Sequence, residues 1–248
     1  MTAPFGARPA PLVFIHGVSD DHSSWDDVVS RLGPRFDVIT YDLRGHGAAP
    51  TRPLVRTVDD FVDDLVELLD TQGVSAANIV GFSLGGLIAQ RLAVRESPRV
   101  RTLTVIGTVA DRTDEDRSRV RQRLAQIERL GPVGVAEQSI ERWFTAEYLA
   151  RHPEVRGDVL RRMDALDPEA YAAAYRVLAT TDLAEDLPAI KAPVLAIAGE
   201  HDLGSPPRMS KLIAKATGGR CVVVPRVRHN LLQEAPHIIA KELTTHVS

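Results

Sequence analysis

The sequence predicts an α/β fold, in which a mostly parallel sheet of about six strands is flanked by helices and interrupted by a helical insertion. Three features carry that expectation. Short continuous apolar runs alternate with segments of helical periodicity, as buried parallel strands joined by crossover helices require. Most runs end at glycine or a polar cluster, where loops open. Between about residues 107 and 188 the apolar runs disappear and only helical patterns remain. A chain of 248 residues, 44% of them apolar, can bury one large core without splitting into independent domains.

The first strand falls at residues 12–15, an apolar run opening into His16-Gly17. A helix begins after it at Ser23 or Ser24. Residues 37–41 form the second strand, which breaks at Asp42-Leu-Arg-Gly-His-Gly47 ahead of a loop marked by Pro50 and Pro53. Thr57 caps a helix reaching about Leu69, with Val58, Phe61, Val62, Leu65 and Leu69 on one face. Residues 77–80 make the third strand, and Leu84, Leu87, Ile88, Leu92 and Ala93 recur behind it at helical spacing. Residues 100–106 give the fourth.

From Gly107 four amphipathic helices are expected, at about residues 111–130, 135–144, 154–166 and 168–179, with no strand between them. The α/β pattern returns after Pro188-Ala-Ile-Lys-Ala-Pro193. A strand is expected at 194–198, a helix at 206–216, the last strand at 220–224, a loop at 225–230 and a closing helix at 236–247. The chain thus divides into a core, residues 1–106 and 189–248, and a helical cap at 107–188.

Composition narrows the function. The 33 acidic and 30 basic residues leave a net charge of −3 without a basic stripe, so nucleic acid is not an expected partner. The first eleven residues lack the basic and apolar segments of a signal peptide, and no run approaches the length of a membrane span. A soluble, cytoplasmic protein is expected. Cys221, the one cysteine, lies in Cys-Val-Val-Val224 and is read as a buried structural thiol. With no His-Glu-x-x-His, cysteine cluster, lysine-bearing phosphate loop or dinucleotide fingerprint, neither metal nor cofactor is expected.

Chemistry concentrates at Gly81-Phe-Ser-Leu-Gly85, between the third strand and its helix. A serine presented on a sharp strand-to-helix turn leaves little room for a Cβ two residues to either side, and Gly81 and Gly85 supply that room. The helix amino terminus and the Leu84 N–H then face any oxyanion formed at Ser83. A serine hydroxyl needs a neutral imidazole to take its proton, and a carboxylate to orient that imidazole. Where this turn occurs, the order along the chain is nucleophile, acid, histidine.

Of the eight histidines, His16, His22 and His46 precede Ser83, His152 lies in the insertion, and His237 and His246 lie on the closing helix. His201 is explained by the turn that contains Asp202, which leaves His229, in the loop after the last strand, as the base. Asp202 follows the strand at 194–198 and is the leading acid, with Glu200 and Asp111 as rivals. The second oxyanion donor is placed at the Val18 N–H, after His16-Gly17, with His16 bracing the loop.

With Ser83, Asp202 and His229 in that order, His16-Gly17 upstream and a helical insertion between core strands, the chain resembles the α/β-hydrolases along its whole length. Within them it is most similar to the 3-oxoadipate enol-lactonase group, through Tyr-Asp-Leu-Arg-Gly-His-Gly47, Gly-Phe-Ser-Leu-Gly-Gly86, Arg-Trp-Phe-Thr-Ala-Glu-Tyr148 and Asp-Pro-Glu-Ala-Tyr171. About ten residues precede the first strand, too few for the hairpin that usually begins the family's sheet, hence about six strands instead of eight. The basic loop Arg-Val-Arg-His-Asn-Leu-Leu232 also departs from the family, and Arg226 and Arg228 are read as solvated charge with anion binding as the alternative.

The resemblance implies acyl transfer from a small ester or lactone to Ser83, with no cofactor. It implies a cation for the substrate's free carboxylate, for which Arg142 is the candidate against an ordinary solvent-facing arginine. Trp25, Phe82, Trp143, Phe144 and Tyr171 are read as pocket walls, with core packing as the alternative for each. Two other functions use the same residues: carbon–carbon bond hydrolysis of a ring-cleavage diketone, and lactone sensing by a receptor. The expected partner is a small molecule, and nothing in the sequence fixes an oligomeric state.

Overall fold

Six strands form one parallel sheet in the computed structural model, which describes residues 10–247. They are β1 (Leu12–Ile15), β2 (Val38–Thr40), β3 (Ala77–Phe82), β4 (Val100–Ile106), β5 (Val194–Gly199) and β6 (Arg220–Val224), in the order β2-β1-β3-β4-β5-β6. Every residue of β1, β3 and β5 is buried, which is why these segments read as unbroken apolar runs. The edge strands β2 and β6 are mostly half-buried. Cys221 is therefore not the buried thiol its apolar neighbours suggest: on an edge strand it is only half-covered.

Alternate residues feed two cores. Leu12, Phe14, Val80 and Ile106 join Trp25 and Val28 on one face, where α1 (Asp26–Leu32) packs against the closing helix (Pro236–His246). Val13, Ile15, Ile79 and Val105 face the opposite core, built by α2 (Val58–Thr71) and α3 (Leu84–Arg95), with α8 (Pro207–Thr217) over β5 and β6. In α2 the residues expected on one face are the ones buried, and Asp60 accepts the Thr57 N–H at 2.9 Å to close the first turn.

The chain leaves β1 for β2 on one side and then, from β3, adds strands on the other, so the winding reverses between β1 and β3. In open parallel sheets such a reversal opens a crevice beyond the carboxyl ends of the strands. The loops after β1, β3, β5 and β6 all meet there.

Between Ile106 and Val194 the described chain is helical: α4 (Asp114–Trp143), α5 (Ala146–Arg151), α6 (Glu154–Asp164) and α7 (Pro168–Thr180). Helix α4 starts three residues later than its amphipathic pattern suggests. Asp111 has left-handed backbone (φ 52°), and Thr113 and Asp116 form a capping box. Gly131 (φ 68°), followed by Pro132, breaks α4 into two helical halves, as the sequence pattern implied. The short α5, capped by the Thr145 side chain, has too little periodicity to be seen in the sequence.

Candidate active site

Ser83 occupies the turn between β3 and α3 with φ 53° and ψ −114°, a conformation that non-glycine residues rarely adopt. The turn is held from every side. A Cβ at Gly81 would strike the Gly85 carbonyl, and one at Gly85 would strike the Ile15 carbonyl. The Ser83 N–H donates to the Ile106 carbonyl at 2.9 Å, and the Thr108 hydroxyl donates to the Ser83 carbonyl at 2.8 Å.

His229 comes from the loop after β6, and Asp202 from the turn after β5. His229 Nε2 lies 3.2 Å from Ser83 Oγ, and Nδ1 lies 2.7 Å from Asp202 Oδ2. The other carboxylate oxygen accepts the N–H groups of Gly204 at 2.8 Å and Ser205 at 3.0 Å. Burial acts to raise the Asp202 pKa, but His229 and these two N–H groups outweigh it and hold it below the usual carboxylate value. An ionised Asp202 accepts only, so Nδ1 carries the proton and Nε2 turns its lone pair to the serine hydroxyl. The Phe82 ring, 5.0 Å from the imidazole centroid, walls the same space.

The rival carboxylates lie elsewhere. Glu200 is exposed and accepts the Arg226 N–H at 2.9 Å, and Asp111 is exposed where the chain enters the insertion. His201 is exposed beside Glu200. Val18, at the end of the His16-Gly17 turn, and Leu84, the first residue of α3, flank Ser83; among the described residues neither backbone N–H has an acceptor.

His16 fixes the loop that carries Val18. Its Nδ1 donates to the Gly17 carbonyl at 2.8 Å, and Nε2 accepts the Leu43 N–H at 2.9 Å, tying the loop after β1 to the one after β2. Burial pushes His16 down to about 3, helped by its neighbour His46, and burial pushes His46 to about 4. Both rings are neutral when folded and ionise near 6.5 when unfolded. The unfolded chain thus takes up more protons below pH 6.5, and stability is lost as pH falls from there towards 4. His246, lowered by burial, acts in the same sense; His22, raised by its hydrogen bond to Asp42, opposes it. For His16 and His46, the unfolding free energy obtained from urea titration should fall between pH 7 and pH 5 by on the order of 1 kcal/mol per ring for each pH unit below 6.5, and the midpoint with it. A midpoint constant over that interval would mean that these rings are not held neutral.

Ser83, His229 and Asp202 open into a cavity of about 390 Å³. Of the aromatic and cationic residues expected there, Phe82, Arg142, Trp143 and Tyr171 line it. Trp25 and Phe144 do not. Trp25 is fully buried under the sheet with its ring 4.8 Å from Phe14, and Phe144 is buried with its ring stacked on Tyr148 at 5.6 Å. Both are core residues, because each sits on the side of its element that faces protein.

Several wall residues carry no sequence signal of their own: Asp20, Arg112, Arg123 and Tyr175. Thr108, buried behind the nucleophile and bonded to its carbonyl, was within reach of the sequence, since it follows the strand at 100–106 at the end where functional loops gather. Arg228, read as solvated charge, is a brace. Its guanidinium donates to the carbonyls of Glu141 and Phe144, and its N–H donates to Glu234 Oε2 at 2.9 Å. The Asn230 N–H donates to the Trp143 carbonyl at 2.9 Å, and Glu234 Oε1 accepts the Thr145 hydroxyl at 2.9 Å. The His229 loop is thereby fastened to the carboxyl end of α4.

Comparison with known proteins agrees with this fold. Residues 12–242 match the model of a family described as the alpha/beta hydrolase family. The chain is 31% identical over 201 residues to 3-oxoadipate enol-lactonase 2 of Acinetobacter baylyi, covering 81% of this chain and 74% of that one. It is 30% identical over 222 residues to a pimeloyl-acyl-carrier-protein methyl ester esterase of Neisseria meningitidis, covering 87% and 69%. The crystal structure of the enol-lactonase from Burkholderia xenovorans superposes with a TM-score of 0.89 at 30% identity, over 96% of this chain and 91% of that one. Among the described residues no helix is long and apolar enough to cross a membrane, and no cluster of side chains is set to hold a metal ion.

Proposed function

The chain belongs to the alpha/beta hydrolase family, and from that membership we propose that it is a serine hydrolase of carboxylic esters or lactones, acting through an acyl-enzyme. Its proposed substrate is 3-oxoadipate enol-lactone or a similar small lactone. The observation that carries the reading is the unbroken hydrogen-bonded series from Ser83 Oγ through His229 to Asp202, opening into a cavity.

The chemistry follows from the geometry. Ser83 Oγ attacks the acyl carbon while His229 Nε2 takes its proton, and Asp202 steadies the resulting imidazolium. The negative charge formed on the acyl oxygen meets the N–H groups of Leu84 and Val18, with the amino terminus of α3 behind them. His229 returns the proton to the leaving oxygen and then activates the water that releases the acyl group. With an enol-lactone, the departing enol rearranges to a ketone, which makes ring opening effectively irreversible. The helices between β4 and β5 serve as a lid that excludes bulk water and shapes the pocket.

The test is turnover of 3-oxoadipate enol-lactone, followed as loss of its ultraviolet absorbance, with simple nitrophenyl esters and a vinylogous diketone alongside. Fast Ser83-dependent lactone turnover, well above that of the simple esters, is expected. Activity on nitrophenyl esters alone would discard the lactone, and cleavage of the diketone alone would make the protein a carbon–carbon bond hydrolase.

A further inference from the structure

Asp20 closes the turn that carries Val18. Its N–H donates to the Gly17 carbonyl at 3.2 Å, and between them Ser19 takes left-handed backbone (φ 66°) without being glycine. Such a turn keeps its shape only where its surroundings hold it. From behind it is held by His16, which ties Gly17 to Leu43. On the cavity side its charged contact is an ion pair, in which the Asp20 carboxylate meets Arg162 of α6 at 3.4 Å.

This pair joins core to cap. Asp20 belongs to the loop after β1, whereas α6 is seated within the insertion, against α4, by Val155, Val159 and Met163. Another tie between cap and core is different in kind: Arg52 reaches Asp167 at 3.3 Å and Glu169 at 2.6 Å, but those side chains are open to water, where an ion pair contributes little. The Asp20 and Arg162 side chains are only 11% and 19% exposed, so losing either strands the charge of the other. The pair also has capacity in reserve. At 3.4 Å it is longer than a fully formed charge-assisted hydrogen bond, and Arg162 Nε is buried and meets no acceptor among the described residues. A small inward shift of α6 would turn one long contact into a forked pair of short ones. Burial raises the Asp20 pKa, while Arg162 and, more weakly, His229 oppose the rise, so the carboxylate stands within electrostatic reach of the base.

We propose that Asp20 and Arg162 are positioning residues through which the cap completes the oxyanion site: as α6 closes, Arg162 grips the Asp20 carboxylate and holds the turn at 17–20 with the Val18 N–H aimed at the acyl oxygen. The Leu84 donor, at the start of α3, is fixed by the core alone. The Val18 donor is set only with the cap in place. Without Arg162 the same carboxylate would also stand uncancelled in the cavity where negative charge develops, so both effects slow the chemical step. This role rests on the reading of Ser83 as the nucleophile of a hydrolase and of Val18 as an oxyanion donor.

The experiment measures kcat and KM on the best substrate, and inhibition by a trifluoromethyl ketone, in the wild type, Asp20→Asn, Arg162→Gln, Arg162→Lys and the Asp20→Asn/Arg162→Gln double variant. Arg161→Gln, at an exposed neighbour on α6, controls for net charge. The ketone reports on the oxyanion: Ser83 Oγ adds to its carbonyl carbon, His229 takes the serine proton, and the carbonyl oxygen becomes the anion. Asp20→Asn and Arg162→Gln should each lose roughly 10- to 100-fold in kcat, less than outright removal of an oxyanion donor costs, with KM changed by less than about threefold. Affinity for the ketone should fall by the same factor, and affinity for the product acid should not. Arg162→Lys should recover part of the loss, Arg161→Gln should match the wild type, and the double variant should be no worse than the worse single.

Losses that multiply in the double variant, or a fall in kcat that leaves the ketone affinity unchanged, would overturn the role. If Arg162→Gln fails to fold because it strands the Asp20 charge, the double variant, which strands neither, decides the matter alone: wild-type kcat and ketone affinity in it would equally overturn the role. Failure of the hydrolase reading looks different, since the wild type itself would then show no Ser83-dependent turnover and no ketone binding that Ser83→Ala removes.

Discussion

Replacing Ser83 by alanine is expected to lower kcat by about 10⁵- to 10⁶-fold while leaving the fold intact. The size follows from the way Ser83, His229 and Asp202 are joined: the base loses the hydroxyl whose proton it takes, and water must replace that hydroxyl from a less favourable position. What survives is the contribution of the Leu84 and Val18 N–H groups and of binding, which do not depend on the hydroxyl. Alanine at φ 53° is as strained as serine, so thermal stability should change little. Ser83→Gly offers a companion measurement. It should be equally inactive yet more stable by about 1 kcal/mol, because glycine adopts this conformation freely. An active Ser83→Ala enzyme would remove the nucleophile from the proposal, and a Ser83→Gly enzyme no more stable than Ser83→Ala would mean that the turn stores no strain.

Asp202→Asn should cost about 10⁴-fold in kcat with a far smaller change in KM. An asparagine in this position can still accept the Gly204 and Ser205 N–H groups, so the turn after β5 should persist. Facing His229, however, an amide N–H would favour the tautomer whose proton sits on Nε2, where it cannot take the serine proton, and no negative charge would steady the imidazolium. Because Asp202 is buried, it has no solvent to substitute for that charge. Steady-state kinetics on the best substrate would check this, with circular dichroism to confirm the fold. A loss of less than about tenfold would mean that another group orients His229.

The parts of this protein that could be read from sequence are those governed by short-range rules. The face of α2 was legible because Val58, Phe61, Val62, Leu65 and Leu69 bury one stripe, and the Ser83 turn was legible because Gly81 and Gly85 lie where carbonyls press on the chain. His229 and Asp202 followed from strand order, since the ends of β5 and β6 are fixed by buried runs. What could not be read depends on which neighbour a side chain meets. Trp25 and Phe144 are large buried aromatics, and nothing local distinguishes a ring in a core from a ring in a pocket wall. Arg123 lies in a helix half that also carries Arg117, Arg119, Arg121 and Arg129, so only the fold shows that it turns inwards. Arg228 looked solvated because its acceptors, the carbonyls of Glu141 and Phe144, belong to a helix more than eighty residues earlier in the chain. Cys221 took its apparent burial from its neighbours' composition, which does not say that β6 ends the sheet.

The fastening of the His229 loop to the end of α4 makes one mechanical part of the proton acceptor and the roof over it. Arg228, Asn230 and Glu234 join that loop to Glu141, Trp143, Phe144 and Thr145; under the proposed mechanism, a molecule that wedged the roof outward would also draw the imidazole off the serine hydroxyl. A poor fit would then be felt in the speed of the chemical step as well as in the strength of binding. Oversized compounds would be held but left uncleaved, so that the substrate would be proofread by shape at the moment of proton transfer.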